Sequence, residues 1–188
     1  MSSQGGEYTY KYPRPSVTVD TVIVAQPSAQ EQHAQLLLIK RKNDPYEGCW
    51  ALPGGFVDEN EPLDKAAARE LQEETSVNAA AQDILLTQVG AFGDPGRDPR
   101  GWCISVAYAA LLPSTDAGVE AADDAAEASW YDVMSLPSLA FDHKLIVRTA
   151  LRHLAKEDKV QAVEGLPDQL CKAADLIEGP WQQVQQKA

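Results

Sequence analysis

The chain has 188 residues, 44% of them hydrophobic, which is enough for one domain with its own buried core. Its net charge of −12, from 16 basic and 28 acidic residues, disfavours binding along the phosphate backbone of a nucleic acid polymer. Three widely spaced cysteines indicate neither a disulfide framework nor a zinc site. The most apolar stretch, 103–112, is about half as long as a membrane-spanning helix, so we expect no membrane span. The cysteine usage and an N-terminus without a signal-peptide core favour a cytoplasmic location, and an organelle address stays open.

The first half of the chain predicts two strands, a turn and a helix. Residues 17–24 are rich in β-branched side chains and residues 36–41 follow a polar loop, which predicts a hairpin with a long connection. Two adjacent glycines indicate a tight backbone feature at 50–56 rather than a regular element. Pro62 lies where a helix is expected to begin, since proline is favoured at the first helical position. The residues of 63–75 have favourable helix propensity and predict that helix.

The second half of the chain mixes strands and helices. It predicts, in chain order, strands over 87–91 and 103–112, a mobile surface loop over 114–128, a strand at 130–133, and helices over 142–154 and 168–177. Such a mixture indicates an α/β fold. We expect one domain at 13–156, after a leader at 1–12 and before a tail at 157–188 that is helical.

Three glutamates share one side of the helix predicted at 63–75. At about 100° per residue, Glu70, Glu73 and Glu74 fall within an arc of about 100°, beside an arc that holds Ala67 and Leu71. Like charges at these spacings cost only a few tenths of a kcal/mol per pair. The arc alone is therefore also typical of a solvated acidic face.

The spacing around these glutamates is more specific. Gly55, Glu61 and the run 69–77 fit G-x5-E-x7-R-E-U-x-E-E-x-G-U, in which U is aliphatic. The pattern resembles the Nudix hydrolase box at every defining position except Ser76, where the family has glycine. Because that glycine usually supplies a left-handed backbone, we expect Ser76 to lower stability slightly without removing activity. The resemblance implies a Nudix-type α/β/α sandwich with a mixed β-sheet between helices.

The resemblance also implies a metal site. Mg²⁺, for which Mn²⁺ can substitute, would be held by Glu70, Glu73, Glu74 and the backbone carbonyl of Gly55. Mg²⁺ prefers oxygen ligands, and it neutralises a diphosphate so that a water can attack phosphorus in line. Arg69, at i,i+4 from Glu73, is expected to orient a carboxylate.

Other acids are candidates for structural roles or for the general base. Glu61 is expected to be structural, and Glu70 is the first choice for the general base. The alternative bases lie in the distal acidic segment: Glu120, Asp123, Asp124 and Glu127.

Segments outside the box narrow the choice of substrate. The segments resemble the ADP-ribose pyrophosphatase branch of the family, and also related nicotinamide-metabolism regulators that carry a winged helix. The segments are 13–20, 50–55, 92–101 and 139–143. The resemblance implies hydrolysis of ADP-ribose, a small nucleotide-like substrate, to AMP and ribose 5-phosphate. One alternative is a nucleotide-pool sanitiser that cleaves 8-oxo-dGTP or another triphosphate, and another is a non-catalytic ADP-ribose sensor. The intact glutamates and the short tail favour an enzyme, and a homodimer is compatible with the resemblance.

Candidate substrate contacts lie in and after the loop 93–101. Arg97 and Arg100 could bind a phosphate or ribose, or pair with the nearby Asp94 and Asp98. Asp142 could read a base, but an aspartate that opens a helix is typical of an N-cap, which we favour. Trp102 could stack on a base or cover a strand edge, and His143 is expected to be structural.

Overall fold

Seven strands and four helices are present in the computed structural model, which describes residues 9–28, 30–121 and 125–177. The strands are β1 (Ser16–Ala25), β2 (Gln35–Arg41), β3 (Trp50–Ala51), β4 (Gly54–Phe56), β5 (Thr87–Phe92), β6 (Cys103–Leu112) and β7 (Ala125–Asp132). The helices are α1 (Leu63–Thr75), α2 (His143–Leu154), α3 (Asp158–Gln161) and α4 (Leu166–Leu176). None of the helices in these ranges is long and apolar enough to span a membrane.

Strand β1 is the centre of one mixed sheet. It runs parallel to β6 along its whole length, while the other strand pairs are antiparallel. Its second neighbour changes along the strand: β4 lies beside its first half, with Val19 opposite Gly55, and β2 pairs only with its last two residues. The predicted pairing of the first two strands is confirmed. Because β2 contacts only the end of β1, the first half of β1 pairs with the glycines of β4.

Helices cover both faces of the sheet. Val22 and Val24 of β1 pack in a core shared with α2 and α4, whereas Ile23 packs with Leu71 of α1 and Val19 packs with Ala67 of the same helix. Because successive residues of a strand point to opposite faces, burial on both faces explains the continuous apolar run of β1. The predicted α/β/α sandwich with a mixed sheet is confirmed.

Two segments are more regular than the sequence predicts. Residues 50–56 contain β3 and β4, which pair with β2 and β1, so the expectation of no regular element there is wrong. The surface loop expected over 114–128 ends earlier, because Ala125 begins β7, which pairs with β2. In both places cross-strand hydrogen bonds form strands that local propensity does not predict. Pro62 precedes α1 rather than opening it, since the helix begins at Leu63.

The tail contains a helix close to the predicted one, α4, and also the short α3. Leu166, Leu170 and Ala173 of α4 are buried in the same core as α2. The side chain of Gln169 accepts a 2.7 Å hydrogen bond from the backbone N–H of Ala34, which ties α4 to the start of β2. This part of the tail therefore packs as part of the main core.

Shortening Leu170 to alanine tests whether α4 unfolds together with the sheet. Leu170 is fully buried, so we expect Leu170→Ala to lower the free energy of unfolding by about 2–5 kcal/mol in urea denaturation. Leu176, which is 55% exposed on the same helix, is the control, and Leu176→Ala should change it by less than about 0.5 kcal/mol. A loss under about 1 kcal/mol for Leu170→Ala would show that α4 is not part of the cooperative unit.

Candidate active site

Helix α1 presents the acidic residues of the box to two different environments. Leu71 is buried against the sheet, and this fixes the rotation of the helix. Glu74 is buried and Glu70 is half-buried, whereas the side chain of Glu73 is 46% exposed. Two of the three glutamates therefore face the protein, and the third faces solvent.

The two inward glutamates meet the glycines of β4. The backbone N–H of Gly54 donates a 2.8 Å hydrogen bond to Oε2 of Glu74. A Cβ atom on Gly55 would lie 2.6 Å from the carboxyl atoms of Glu70, and one on Gly54 would lie 2.1 Å from the carbonyl oxygen of Val19. A side chain at Gly54 would collide with the backbone of β1, and one at Gly55 would displace the carboxylate of Glu70.

Arg69 joins the remaining acids of the box. Its Nε and Nη2 atoms each donate a 2.8 Å hydrogen bond to Glu61, a bidentate pair that keeps the pKa of Glu61 at about 2. Its Nη1 atom donates to Glu70 at 2.7 Å and to Glu73 at 2.9 Å. Arg69 thus orients carboxylates, as its spacing predicts, and Glu61 fixes Arg69.

Burial makes the inward carboxylates electrostatically unfavourable as anions. Burial, together with repulsion from Glu70 and Asp20, raises the pKa of Glu74 to about 8, despite the hydrogen bond from Gly54. Burial also raises the pKa of Glu70, although Arg69 opposes this. A cation beside both groups would favour their charged forms, and carboxylate oxygens are the ligands that Mg²⁺ prefers. The residues present therefore fit a divalent metal.

The structure does not gather the whole predicted ligand set. Across the described ranges, no three His, Cys, Asp or Glu side chains form a group ready to hold a metal ion. Glu70 and Glu74 lie against Gly55 and Gly54, but Glu73 turns to Arg69. The set of Gly55, Glu70, Glu73 and Glu74 stays a prediction.

A cavity of about 410 Å³ opens beside the inward glutamates, and we call it the catalytic cavity. Its walls carry both carboxylates and cations. They include Arg41, Gly54, Gly55, Arg69, Glu70, Glu74 and Arg100. Acidic groups that could hold a metal and guanidinium groups that could bind phosphate therefore face the same space.

A smaller polar hollow of about 30 Å³ adjoins this cavity, and we call it the recess. Both spaces are bordered by Arg41, Gly54, Gly55 and Arg100. The recess is also lined by buried groups that the cavity does not contain, among them Asp20, Arg97 and His143.

Arg97 and Asp142 form a buried pair rather than two separate contacts. Arg97 donates to both carboxylate oxygens of Asp142, at 2.9 and 2.6 Å. The alternative in which the side chain of Arg97 pairs with Asp94 is wrong, since only the backbone N–H of Arg97 bonds to Asp94. Asp142 does occupy the N-cap position of α2, but its side chain makes no capping hydrogen bond, so the cap interpretation is also wrong. The guanidinium of Arg97 binds the carboxylate of Asp142, which would otherwise be available to cap α2.

The other predicted contacts lie at different distances from the cavities. Arg100 lines both spaces and pairs with Asp98 at 2.6 Å, as the pairing alternative predicts. Trp102 is 55% exposed and lines neither of them. Among the alternative bases, Glu120 and Glu127 are exposed and line neither space. Asp123 and Asp124 lie outside the described residues.

Two residues of the site were missed in the sequence. Asp20 is the acid in the apolar strand predicted at 17–24, and it is buried. Because acids are rarely buried without a partner, its position in that strand could have marked it as a candidate site residue. Arg41 ends β2, and its guanidinium lies 5.0 Å from the ring centre of Phe141. No local pattern marks Arg41, because its neighbours in the cavity come from distant segments.

A mixed sheet between helices, with box carboxylates set against two glycines of a central strand pair, defines a Nudix-type domain. The family model described as NUDIX domain matches residues 17–154, and the chain belongs to this family. The predicted family and enzyme class, a Nudix pyrophosphohydrolase, are thereby confirmed.

Individual relatives indicate which branch of the family this chain is similar to. The chain is 41% identical over 141 residues to an ADP-ribose pyrophosphatase of Methanocaldococcus jannaschii, covering 75% of this chain and 76% of that protein. It is 35% identical over 156 residues to an ADPR responsive transcriptional repressor of Acinetobacter baylyi, covering 81% of this chain and 59% of the repressor. The NUDIX domain of Shewanella oneidensis NrtR, solved as a cocrystal with ADP ribose, superposes with a TM-score of 0.67 at 32% identity, covering 78% of this chain and 94% of that one.

The departure from the box at Ser76 gives a stability prediction. Ser76 ends α1 with φ of 64°, in the left-handed region, and its N–H donates to the carbonyl of Gln72. Glycine adopts this conformation without steric penalty, so Ser76→Gly should raise the free energy of unfolding by about 0.5–1 kcal/mol and leave kcat/KM unchanged. Ser76→Ala keeps the Cβ and should give no gain. Equal stability of the two variants would contradict this explanation.

The raised pKa of Glu74 gives a pH prediction. A carboxyl whose pKa rises on folding destabilises the fold as pH increases from its unfolded value, about 4.5, to its folded value of about 8. Glu74→Gln keeps an acceptor for Gly54 and removes the charge. The Tm advantage of this variant, measured without metal, should therefore grow by at least roughly 3 °C between about pH 5 and pH 8. A constant difference across that range would contradict the raised pKa.

Proposed function

We propose that this protein hydrolyses the diphosphate bond of ADP-ribose, giving AMP and ribose 5-phosphate, in a reaction that requires Mg²⁺ or Mn²⁺. The observation that carries the proposal is the 41% identity to an ADP-ribose pyrophosphatase over about three quarters of both chains. The catalytic cavity supports it, because both inward carboxylates and guanidinium groups line this space. We further propose a cytoplasmic location. We also propose that no nucleic acid polymer is a partner, because the net charge is −12.

The metal would be held by Glu70, Glu73, Glu74 and the carbonyl of Gly55. When bound, it supplies charge neutralisation at the diphosphate and lowers the pKa of a water. Glu73 would have to turn from Arg69 toward the cavity, a change that its exposed side chain allows. Glu74 and Glu70 already lie against the glycines of β4, although Glu70 also accepts a hydrogen bond from Arg69.

The protein's own side chains bind and orient the reacting groups. Arg41 and Arg100 line the cavity and would bind the diphosphate oxygens, since guanidinium groups bind phosphate in a planar, bidentate manner. Glu70 is our candidate for the general base, because its half-buried carboxylate lines the cavity and is held in place by a hydrogen bond from Arg69. Arg69 would keep Glu70 oriented while a proton is transferred to it.

An ADP-ribose-responsive regulator is the second candidate function. It is favoured by the similarity to the Acinetobacter baylyi repressor, of which this chain covers 59%. A regulator has to bind ADP-ribose but has no need to hydrolyse it. The two candidates are therefore separated by turnover rather than by binding.

A substrate panel with product analysis tests the proposal. With Mg²⁺, ADP-ribose should give AMP and ribose 5-phosphate, and kcat/KM for 8-oxo-dGTP should be at least roughly 100-fold lower. Hydrolysis of 8-oxo-dGTP but not of ADP-ribose would establish the sanitiser alternative, and binding of ADP-ribose without turnover would establish the regulator.

Variants of the box test the roles of its residues. Glu70→Gln and Glu73→Gln should each lower kcat by roughly 100-fold or more, because each removes one negative charge from the metal site. The Tm of each variant should change little. Asp64→Asn is the matched control, since Asp64 is exposed at the start of α1 and lines neither space. Full activity of Glu73→Gln would contradict a place for Glu73 among the ligands.

A further inference from the structure

The recess holds a hydrogen-bond donor and an acceptor that do not satisfy each other. Nε2 of His143 lies 3.5 Å from Oδ1 of Asp20, beyond the roughly 2.9 Å of a normal N–H···O hydrogen bond. Both residues are at least nine-tenths buried, so bulk water cannot easily replace the missing contact. Each atom therefore still has capacity for a partner in the recess.

The protonation state of His143 follows from its other nitrogen. The backbone N–H of Leu52 donates to Nδ1 at 2.9 Å, so Nδ1 is an acceptor and carries no proton. Burial lowers the pKa of His143, which keeps the ring neutral. The single ring proton consequently lies on Nε2, and His143 is a donor toward the recess.

Asp20 is the matching acceptor. The hydroxyl of Ser105 donates to its Oδ2, and the guanidinium of Arg97 lies 3.9 Å from the same oxygen. Its Oδ1 is on the side of Gly54, where a Cβ would come within 2.9 Å of it. One oxygen of Asp20 is thus held by the fold, and the other faces His143.

The charges around the recess are balanced. Arg97 is paired with Asp142 and Arg100 with Asp98, while the guanidinium of Arg41 faces a space that also contains Asp20. A phosphate would meet two carboxylates here, and a metal cation would meet three guanidinium groups. A neutral group that both donates and accepts hydrogen bonds fits this surrounding better than either ion.

Size and position restrict that group further. A volume of about 30 Å³ suits a group the size of one water molecule rather than a nucleobase. The recess borders the catalytic cavity through Arg41, Gly54, Gly55 and Arg100, so a group in it can belong to a molecule whose diphosphate lies in the cavity.

We propose that the recess binds one ribose hydroxyl of the substrate, which donates to Oδ1 of Asp20 and accepts from Nε2 of His143. This inference rests on the proposed ADP-ribose hydrolysis and adds a residue pair that reads the sugar. A buried pair that requires a hydroxyl discriminates strongly against a substrate without one, because both protein groups are then left unsatisfied.

A series of deoxy substrates locates the hydroxyl. ADP-ribose is compared with analogues that each lack one hydroxyl, in either the adenosine ribose or the terminal ribose. We expect kcat/KM to fall by roughly 10- to 100-fold for one analogue and by less than about 3-fold for the others. The position of the sensitive hydroxyl shows which ribose the recess holds.

Variants then test whether Asp20 and His143 are responsible. Asp20→Asn and His143→Gln should each lower kcat/KM for ADP-ribose by roughly 10-fold or more, and they should leave kcat/KM for the sensitive deoxy analogue within about 3-fold of wild type. His153→Gln is the matched control, because it makes the same change on α2 at a residue that lines neither space. A purely structural role would lower the activity on both substrates equally.

The possible results separate this inference from the proposed function. If the wild-type protein does not hydrolyse ADP-ribose, the proposed function and this inference both fail. If ADP-ribose is hydrolysed and no single hydroxyl matters, the inference alone fails, and this result needs no variant to fold. It also fails if folded Asp20→Asn and His143→Gln proteins discriminate between the two substrates as strongly as wild type.

Discussion

The close contact between helix α1 and the glycines of β4 is the constraint on which the site depends. Gly54 and Gly55 lie between β1 and the carboxylates of Glu74 and Glu70: a Cβ atom on Gly54 would collide with the backbone of β1, and one on Gly55 would occupy the place of the Glu70 carboxylate. The register that places Val19 opposite Gly55 therefore also places the two carboxylates beside the catalytic cavity. One short strand connects the packing of the sheet to the chemistry of the helix.

Ion pairs of Arg69 also stabilise the acidic residues of the box. Glu61 holds Arg69, and Arg69 in turn bridges Glu70 and Glu73, so the acidic helix face is partly neutralised without a metal. For Glu74, burial raises the pKa of the carboxyl group to about 8, and the hydrogen bond from Gly54 and the charge of Arg41 oppose this rise only in part. The unfavourable energy of this buried acid is what a divalent cation would relieve, so the stability of the fold and the affinity for metal are linked through Glu74.

Much of this arrangement could be predicted from the sequence, and the errors have physical causes. Helix α1 was predicted at its observed bounds because helix periodicity and the box spacing are local signals. β3 and β4 were missed because strands of two or three residues have no periodicity. The capping role expected for Asp142 was wrong because its partner, Arg97, lies 45 residues away in sequence. Long-range pairs of this kind also form the recess, which is why Asp20 was not recognised as part of the site.

We propose that one cavity, beside Gly54 and Gly55, holds both the metal and the diphosphate. The most direct measurement is a crystal structure with Mg²⁺ and a non-hydrolysable ADP-ribose analogue. We expect a metal ion bound by Glu70, Glu73, Glu74 and the carbonyl of Gly55, with the diphosphate of the analogue beside Arg41 and Arg100. A metal ion bound elsewhere, or a diphosphate outside the catalytic cavity, would contradict the claim.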